Sequence, residues 1–193
     1  MNGRQFFDEE VEAALDVLRR GGLILYPTDT IWGIGCDATD ESAVKNIYKL
    51  KQRDDSKSLV ILLADERDVY RYVAAPDPAV FDFMEAQTRP TTVIFEQAIG
   101  LPPNLVADDG SIGIRLVKDE FCRHLLKRLR KPLVSTSANI SGQPSPENFA
   151  SISPEIRNGV DHIVKWRQDN NTPTQPSQVI RWKNDGTMEV LRP

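Results

Sequence analysis

The sequence predicts an α/β fold: one domain over residues 1–193, with a twisted mixed parallel/antiparallel sheet flanked by helices. Three observations carry this reading. Short apolar runs such as Leu23-Ile24-Leu25-Tyr26 and Leu59 to Leu63 alternate with stretches of helical period. The chain closes in a hairpin pattern around Asn184-Asp185-Gly186, which adds antiparallel pairing to crossover units. No internal repeat or linker-like composition divides it.

Each element follows from local signals. Asp8 to Arg20 reads as a helix capped by Asp8, with Val11, Ala14, Leu15 and Leu18 on one face and Gly21-Gly22 as the stop. Leu23 to Tyr26 is a buried strand, and Pro27 to Asp37 reads as a loop with two glycines. Asp40 caps a second helix whose apolar side holds Val44, Ile47 and Tyr48. Leu59 to Leu63 is a strand; Asp65 to Val73 and Asp77 to Gln87 read as helical. Thr91 to Phe95 and Ile112 to Leu116 are strands, Asp119 to Arg130 an amphipathic helix, and Leu133 to Ser137 a strand. Ser153-Pro154 opens a short helix, His162 to Lys165 reads as a strand, and Gln168 to Gln175 as polar loop. Val179 to Trp182 and Met188 to Leu191 make the hairpin.

Composition narrows the class. With 40% hydrophobic residues, 27% charged and a net charge of −4, the chain is an ordinary globular protein and not one that coats nucleic acid by bulk charge. No run reaches membrane-span length and the start lacks an apolar signal core, so the expected location is the cytoplasm, with no membrane contact. Cys36 and Cys122 are isolated and fit free thiols in a reducing compartment; no metal-ligand set is expected.

Three segments carry chemistry. Pro132-Leu133-Val134 runs into Ser135-Thr136-Ser137-Ala138-Asn139, then Gly142 and Pro144, and alternate residues of an extended chain share a face. Ser135, Ser137 and Asn139 can therefore form a polar wall for phosphate or carboxylate; the same stretch also suits a Ser/Asn turn bonded to its own backbone. Lys51, Arg53 and Lys57 crowd a helix-to-strand junction, a grouping suited to a triphosphate, without P-loop glycine spacing. Arg115, on Ser111-Ile-Gly-Ile-Arg115, suits a bidentate carboxylate clamp or a surface ion pair. His124 and His162 read as structural.

Taken with Tyr26-Pro-Thr-Asp-Thr-Ile-Trp-Gly33, the Lys51-Gln-Arg53 and Ser137-Ala-Asn139 pairs resemble the motifs of the YrdC family, in matching order, from about residue 8 to the C-terminus. The resemblance implies a YrdC-like fold in its short form and an L-threonylcarbamoyladenylate synthase. That enzyme joins L-threonine, bicarbonate and ATP and releases pyrophosphate, for N6-threonylcarbamoyladenosine in tRNA. It implies threonine binding by Thr30, Arg115, Ser135 and Ser177. It implies ATP binding by Arg53, Lys57, Ser111, Ser137, Ser145 and Arg192, and catalytic roles for Lys51, Arg53, Ser137 and Asn139. Mg2+ is expected as the ATP counter-ion. Expected partners are downstream tRNA threonylcarbamoyl-transfer proteins, with tRNA or double-stranded RNA as a possible direct ligand. A non-catalytic tRNA or double-stranded RNA-binding module of the same fold is the alternative. Arg89-Pro90-Thr91, Leu62, Val117 and Asp119 depart from the family pattern.

Overall fold

A computed structural model describes residues 3–53, 59–172, 175–183 and 185–193. In chain order the elements are α1 (Gly3–Arg19), β1 (Ile24–Tyr26), β2 (Gly33–Gly35), α2 (Glu41–Lys51), β3 (Val60–Leu63), α3 (Ala79–Ala86), β4 (Thr91–Phe95) and β5 (Ile112–Leu116). There follow α4 (Glu120–Leu129), β6 (Leu133–Ser137), α5 (Pro154–Asn158), β7 (His162–Ile163), β8 (Gln178–Trp182) and β9 (Met188–Arg192), with 3-10 turns at Glu66–Arg71 and Phe149–Ser151.

Among the described residues, nine strands join one sheet in the order β7-β1-β2-β6-β3-β5-β4-β8-β9. The pairs β1/β7, β3/β5 and β4/β8 are parallel and the rest antiparallel, the mixed sheet the sequence predicts.

Strand alternation divides the core. Ile34, Ile61, Leu63, Ile112, Ile114 and Val134 bury on the face covered by Val44 and Ile47 of α2 and by Val80, Phe81 and Met84 of α3. Ile24, Tyr26, Leu62 and Leu133 bury on the other face, under Val11, Leu15 and Leu18 of α1 and Phe121, Leu125 and Leu126 of α4. Each fully buried Leu or Ile contributes roughly 1.5–3 kcal/mol of transfer free energy. Alternation then puts Ser135 and Ser137 on the side of Leu133, and Val60 on the side of Leu62. These polar and small positions lie where α1 and α4 no longer cover the sheet.

Caps behave as expected: Asp40 accepts from the Ser42 and Ala43 amides at 2.9 and 3.1 Å, Asp119 from Cys122 and Ser153 from Ile156. Within Asp65 to Val73, expected to be helical, Glu66–Arg71 winds as a 3-10 helix. Two departures have physical causes. The helix expected from Asp8 begins at Gly3, because Phe7 is buried edge-on against Phe121 and Trp166 and Arg4 reaches Glu120. The stretch Pro27 to Asp37 is not all loop: Gly33-Ile34-Gly35 forms β2, paired to β1 and β6. Glycine is required at position 35, where a Cβ would lie 2.8 Å from both the Tyr26 ring and the Val134 carbonyl. Asn184, at the expected hairpin turn, lies outside the described residues; the hairpin strands β8 and β9 pair as expected.

Candidate active site

The bare part of the α1/α4 face opens into a cleft of about 260 Å3. Its lining includes Thr30, Arg53, Thr92, Arg115, Ser135, Ser137, Ser145, Ser177 and Arg192. Counting Thr136 as well, seven hydroxyl residues and three arginines line it, together with Gly33, Leu59, Val60 and Val179. Sequence register explains the gathering: Leu62 pairs with Arg115, Val60 with both Gly113 and Ser135, Gly33 with Ser137, and Val179 with both Thr92 and Arg192.

Arg115 is the most buried cation of the cleft, at 5% exposure. Its Nη1 donates to Thr30 Oγ1 at 3.0 Å, and its Nη2 faces Asp29 Oδ1 at 3.3 Å. The Thr30 hydroxyl lies 2.9 Å from that of Thr28, which donates to the Ile31 carbonyl at 2.7 Å. The loop therefore braces its own hydroxyl before presenting it to the guanidinium. Burial raises the Asp29 pKa, and Arg115 opposes that shift. Behind the cleft, burial also pushes the Tyr26 phenol up, so it stays neutral; it donates a long bond to the Val134 carbonyl.

Lys51 ends elsewhere than a free phosphate ligand would. It is 1% exposed, and Nζ donates to the Ser137 and Asn139 carbonyls at 2.5 and 2.6 Å. The Lys51 carbonyl in turn accepts from the Ser141 amide at 2.8 Å. Burial lowers its pKa to about 8, with neighbouring Arg53 adding to the effect. Asn139 Nδ2 donates to the Ile140 and Gln143 carbonyls. Lys51 and Asn139 thus hold the turn that follows β6, and neither is among the residues lining the cleft. Asn139 is therefore not part of the wall that Ser135 and Ser137 make.

Arg53 lines the cleft, its pKa lowered by burial. Lys57 lies outside the described residues. Ser111 is buried and hydrogen-bonded to Asp109, off the cleft lining. Ser177 reaches the cleft through a 2.9 Å bond to Thr92 Oγ1, and its carbonyl accepts from Arg192 Nε and Nη2 at 3.0 and 2.7 Å. Thr92 is a lining residue that sequence reasoning missed, since a threonine inside a strand also reads as an ordinary β-former. His124 packs edge-on against Phe7 and His162 stands 3.7 Å from Glu10, both away from the cleft. Cys36 and Cys122 are free and buried.

A larger groove of about 900 Å3 lies past Asp29, over Phe81, Met84 and Leu116. Its rim mixes acids such as Asp65 and Glu85 with bases such as Arg89 and Lys118, and its hydroxyl residues are Thr88 and Thr91, against seven in the cleft. Chemistry that must hold anionic groups side by side fits the smaller cleft.

Fold and cleft together define an α/β protein with hydroxyls and guanidinium groups gathered on the open end of a mixed sheet, a chemistry suited to small oxyanion-bearing molecules. Residues 16–193 match the Sua5/YciO/YrdC family, described as Telomere recombination, and the chain belongs to that family. A putative threonylcarbamoyl-AMP synthase of Methanocaldococcus jannaschii is 30% identical over 187 residues, covering 95% of this chain and 87% of the relative. The threonylcarbamoyl-AMP synthase of Idiomarina loihiensis is 31% identical, covering 90% and 94%. Among solved structures, a variant of P. abyssi Sua5 superposes with a TM-score of 0.83 at 25% identity; the match covers 95% of this chain and 56% of that one. This chain thus spans about half the length of that solved relative. Among the described residues, no helix is long and apolar enough to cross a membrane.

Proposed function

We propose that this protein is an L-threonylcarbamoyladenylate synthase, making threonylcarbamoyl-AMP and pyrophosphate from L-threonine, bicarbonate and ATP. The observation that carries the reading is a hydroxyl-lined cleft with the buried Arg115 and with Arg53, in a chain about 30% identical to proteins bearing that name.

Arg115, with Thr30, Ser135 and Ser177, takes the amino acid, its carboxylate on the guanidinium. Arg53, Lys57, Ser137, Ser145 and Arg192 take the triphosphate; Ser111 joins them only if the Asp109 turn yields. The threonine amine adds to CO2 derived from bicarbonate and loses a proton, giving a carbamate. A carbamate oxygen then bonds to the α-phosphorus as the bond to the β-phosphate oxygen breaks, and pyrophosphate leaves. Negative charge shifts onto phosphate oxygens, so fixed cations and hydroxyl donors are the useful groups. Lys51 and Asn139 act through the turn they brace, setting where Ser137 stands. Mg2+ would arrive with ATP and would neutralise charge on its phosphates, with few ligands asked of the protein. The product serves tRNA threonylcarbamoylation in the cytoplasm, through separate transfer proteins.

Pyrophosphate release tests the reading. Release that requires ATP, L-threonine and bicarbonate together, with L-serine a much poorer substrate, is the expected result. Folded protein that releases none, or releases it without threonine, would overturn it.

A further inference from the structure

We propose that Asp29 is a positioning residue for Arg115: it fixes the guanidinium plane so that the remaining edge of the fork meets the substrate carboxylate. The proposal rests on the amino-acid reading of the cleft.

Two consecutive residues of one loop grip the guanidinium at its two terminal nitrogens. Thr30 accepts from Nη1 at 3.0 Å, and Asp29 faces Nη2 at 3.3 Å. A planar group held at two corners cannot turn about its long axis, which one hydroxyl alone would allow. The loop is rigid where it does this, since the Thr28 hydroxyl both accepts from the Thr30 amide at 3.0 Å and donates to the Ile31 carbonyl.

The grip is incomplete. Arg115 Nε is buried without a hydrogen-bond partner, and so is Asp29 Oδ1, for which the guanidinium is an ion-pair neighbour without hydrogen-bond geometry. The side chains are only 6% and 20% exposed, so water does not make good the deficit freely. A guanidinium donates in parallel pairs, and Nε with one terminal nitrogen forms the side-on pair that a carboxylate takes. Arg115 Nε is thus the donor of this guanidinium that no protein group satisfies. Asp29 lines the neighbouring groove rather than the cleft.

Removing the acid leaves a buried cation with a single hydroxyl partner, free to rotate or to draw in water. The defect then concerns recognition of the carboxylate and leaves the triphosphate end alone. The test compares wild type with Asp29→Asn and Asp29→Ala in steady-state pyrophosphate release. L-threonine and ATP are varied separately, and L-threoninol serves as the analogue lacking the carboxylate. Calorimetric titration with L-threonine accompanies the kinetics.

The expected result is a threonine KM raised about ten- to a hundred-fold in Asp29→Ala and less in Asp29→Asn, which keeps an oxygen near Nη2. The ATP KM stays within about two-fold, and the preference for threonine over threoninol collapses by a similar factor. A threonine KM and dissociation constant unchanged in Asp29→Asn and Asp29→Ala would overturn the proposal. So would equal rises for threonine and ATP, or an intact preference over threoninol, since these mark a general structural lesion. If Asp29→Ala does not fold, Asp29→Asn alone decides by the same criteria. Wild type that binds L-threonine but releases no pyrophosphate refutes the synthase reading only, and the calorimetric comparison still decides the role of Asp29. Wild type that binds no L-threonine refutes both.

Discussion

Replacing Lys51 with Met isolates what a buried ammonium does beside a reaction cleft. The substitution keeps the aliphatic stem in its 1% exposed slot and removes the donor shared by the Ser137 and Asn139 carbonyls. Two hydrogen bonds from a charged donor are lost, at about 1.5–3 kcal/mol each, or roughly 3–6 kcal/mol together. Against this stands the cost of keeping the charge buried. Burial lowers the Lys51 pKa from 10.5 to about 8, and that difference corresponds to about 3 kcal/mol near neutral pH. The balance is a net loss of about 0–3 kcal/mol, so Lys51→Met is expected to fold with a modestly lower Tm. Activity should suffer more. The freed carbonyls sit on the turn that sets Ser137 in the cleft wall, and a small misplacement there is amplified in rate, by on the order of a hundred-fold. The assay pairs urea unfolding at pH 7 with pyrophosphate release. A variant within about three-fold of wild-type kcat/KM would refute the brace, and one destabilised by more than about 4 kcal/mol would refute the balance of terms.

Further outcomes follow from the same geometry. Because the folded pKa of Lys51 lies below its unfolded value, the unfolded chain binds more protons between pH about 8 and 10.5, and stability gained from this group rises with pH across that window. Urea midpoints of wild type relative to Lys51→Met should therefore climb from pH 7.5 to 10, and parallel curves would show that the shift is absent. Arg115→Ala should raise the threonine KM far more than the ATP KM, and Arg53→Ala the reverse, each by about ten- to a hundred-fold; equal effects on both substrates would remove the division of the cleft. Gly35→Ala should lower stability by about 1–3 kcal/mol, since a methyl group there meets the Tyr26 ring and the Val134 carbonyl at 2.8 Å and backbone cannot give way. An unchanged melting curve would mean that β2 can shift.

Much of the sheet was legible because short apolar runs such as Leu59 to Leu63 and Leu133-Val134 are local signals, and β3 and β6 form within a residue of where they are expected. The two-residue period of a strand then placed Ser135 and Ser137 on one wall. What failed locally was decided at long range. Gly33-Ile34-Gly35 carries too little side chain to announce a strand, and becomes one only because β1 and β6 lie on either side. Lys51 reads as a phosphate ligand within its own basic segment, yet its fate is set by carbonyls 86 and 88 residues away. Asp29 sat inside a recognised motif, but nothing in the sequence says that its carboxylate meets Arg115. Thr92 was invisible for the opposite reason, since its residue type is the ordinary choice for a strand.

The position of the cleft follows from how helices cover the sheet. The pair α1 and α4 seals Ile24, Leu62 and Leu133, and the same strands continue beyond that cover as Val60, Ser135 and Ser137. An apolar row extended past the helices would have been an exposed hydrophobic patch, and a charged row would have repelled itself. Serine and threonine avoid both, and they accept or donate as a ligand requires. Gly113 keeps the floor low: a Cβ there would lie 3.2 Å from Val60 and 3.4 Å from Thr92. Arg115, two residues along the same strand, then rises beside an open floor. One strand thus supplies both the open floor and the cation, and the pleat sets their relative geometry.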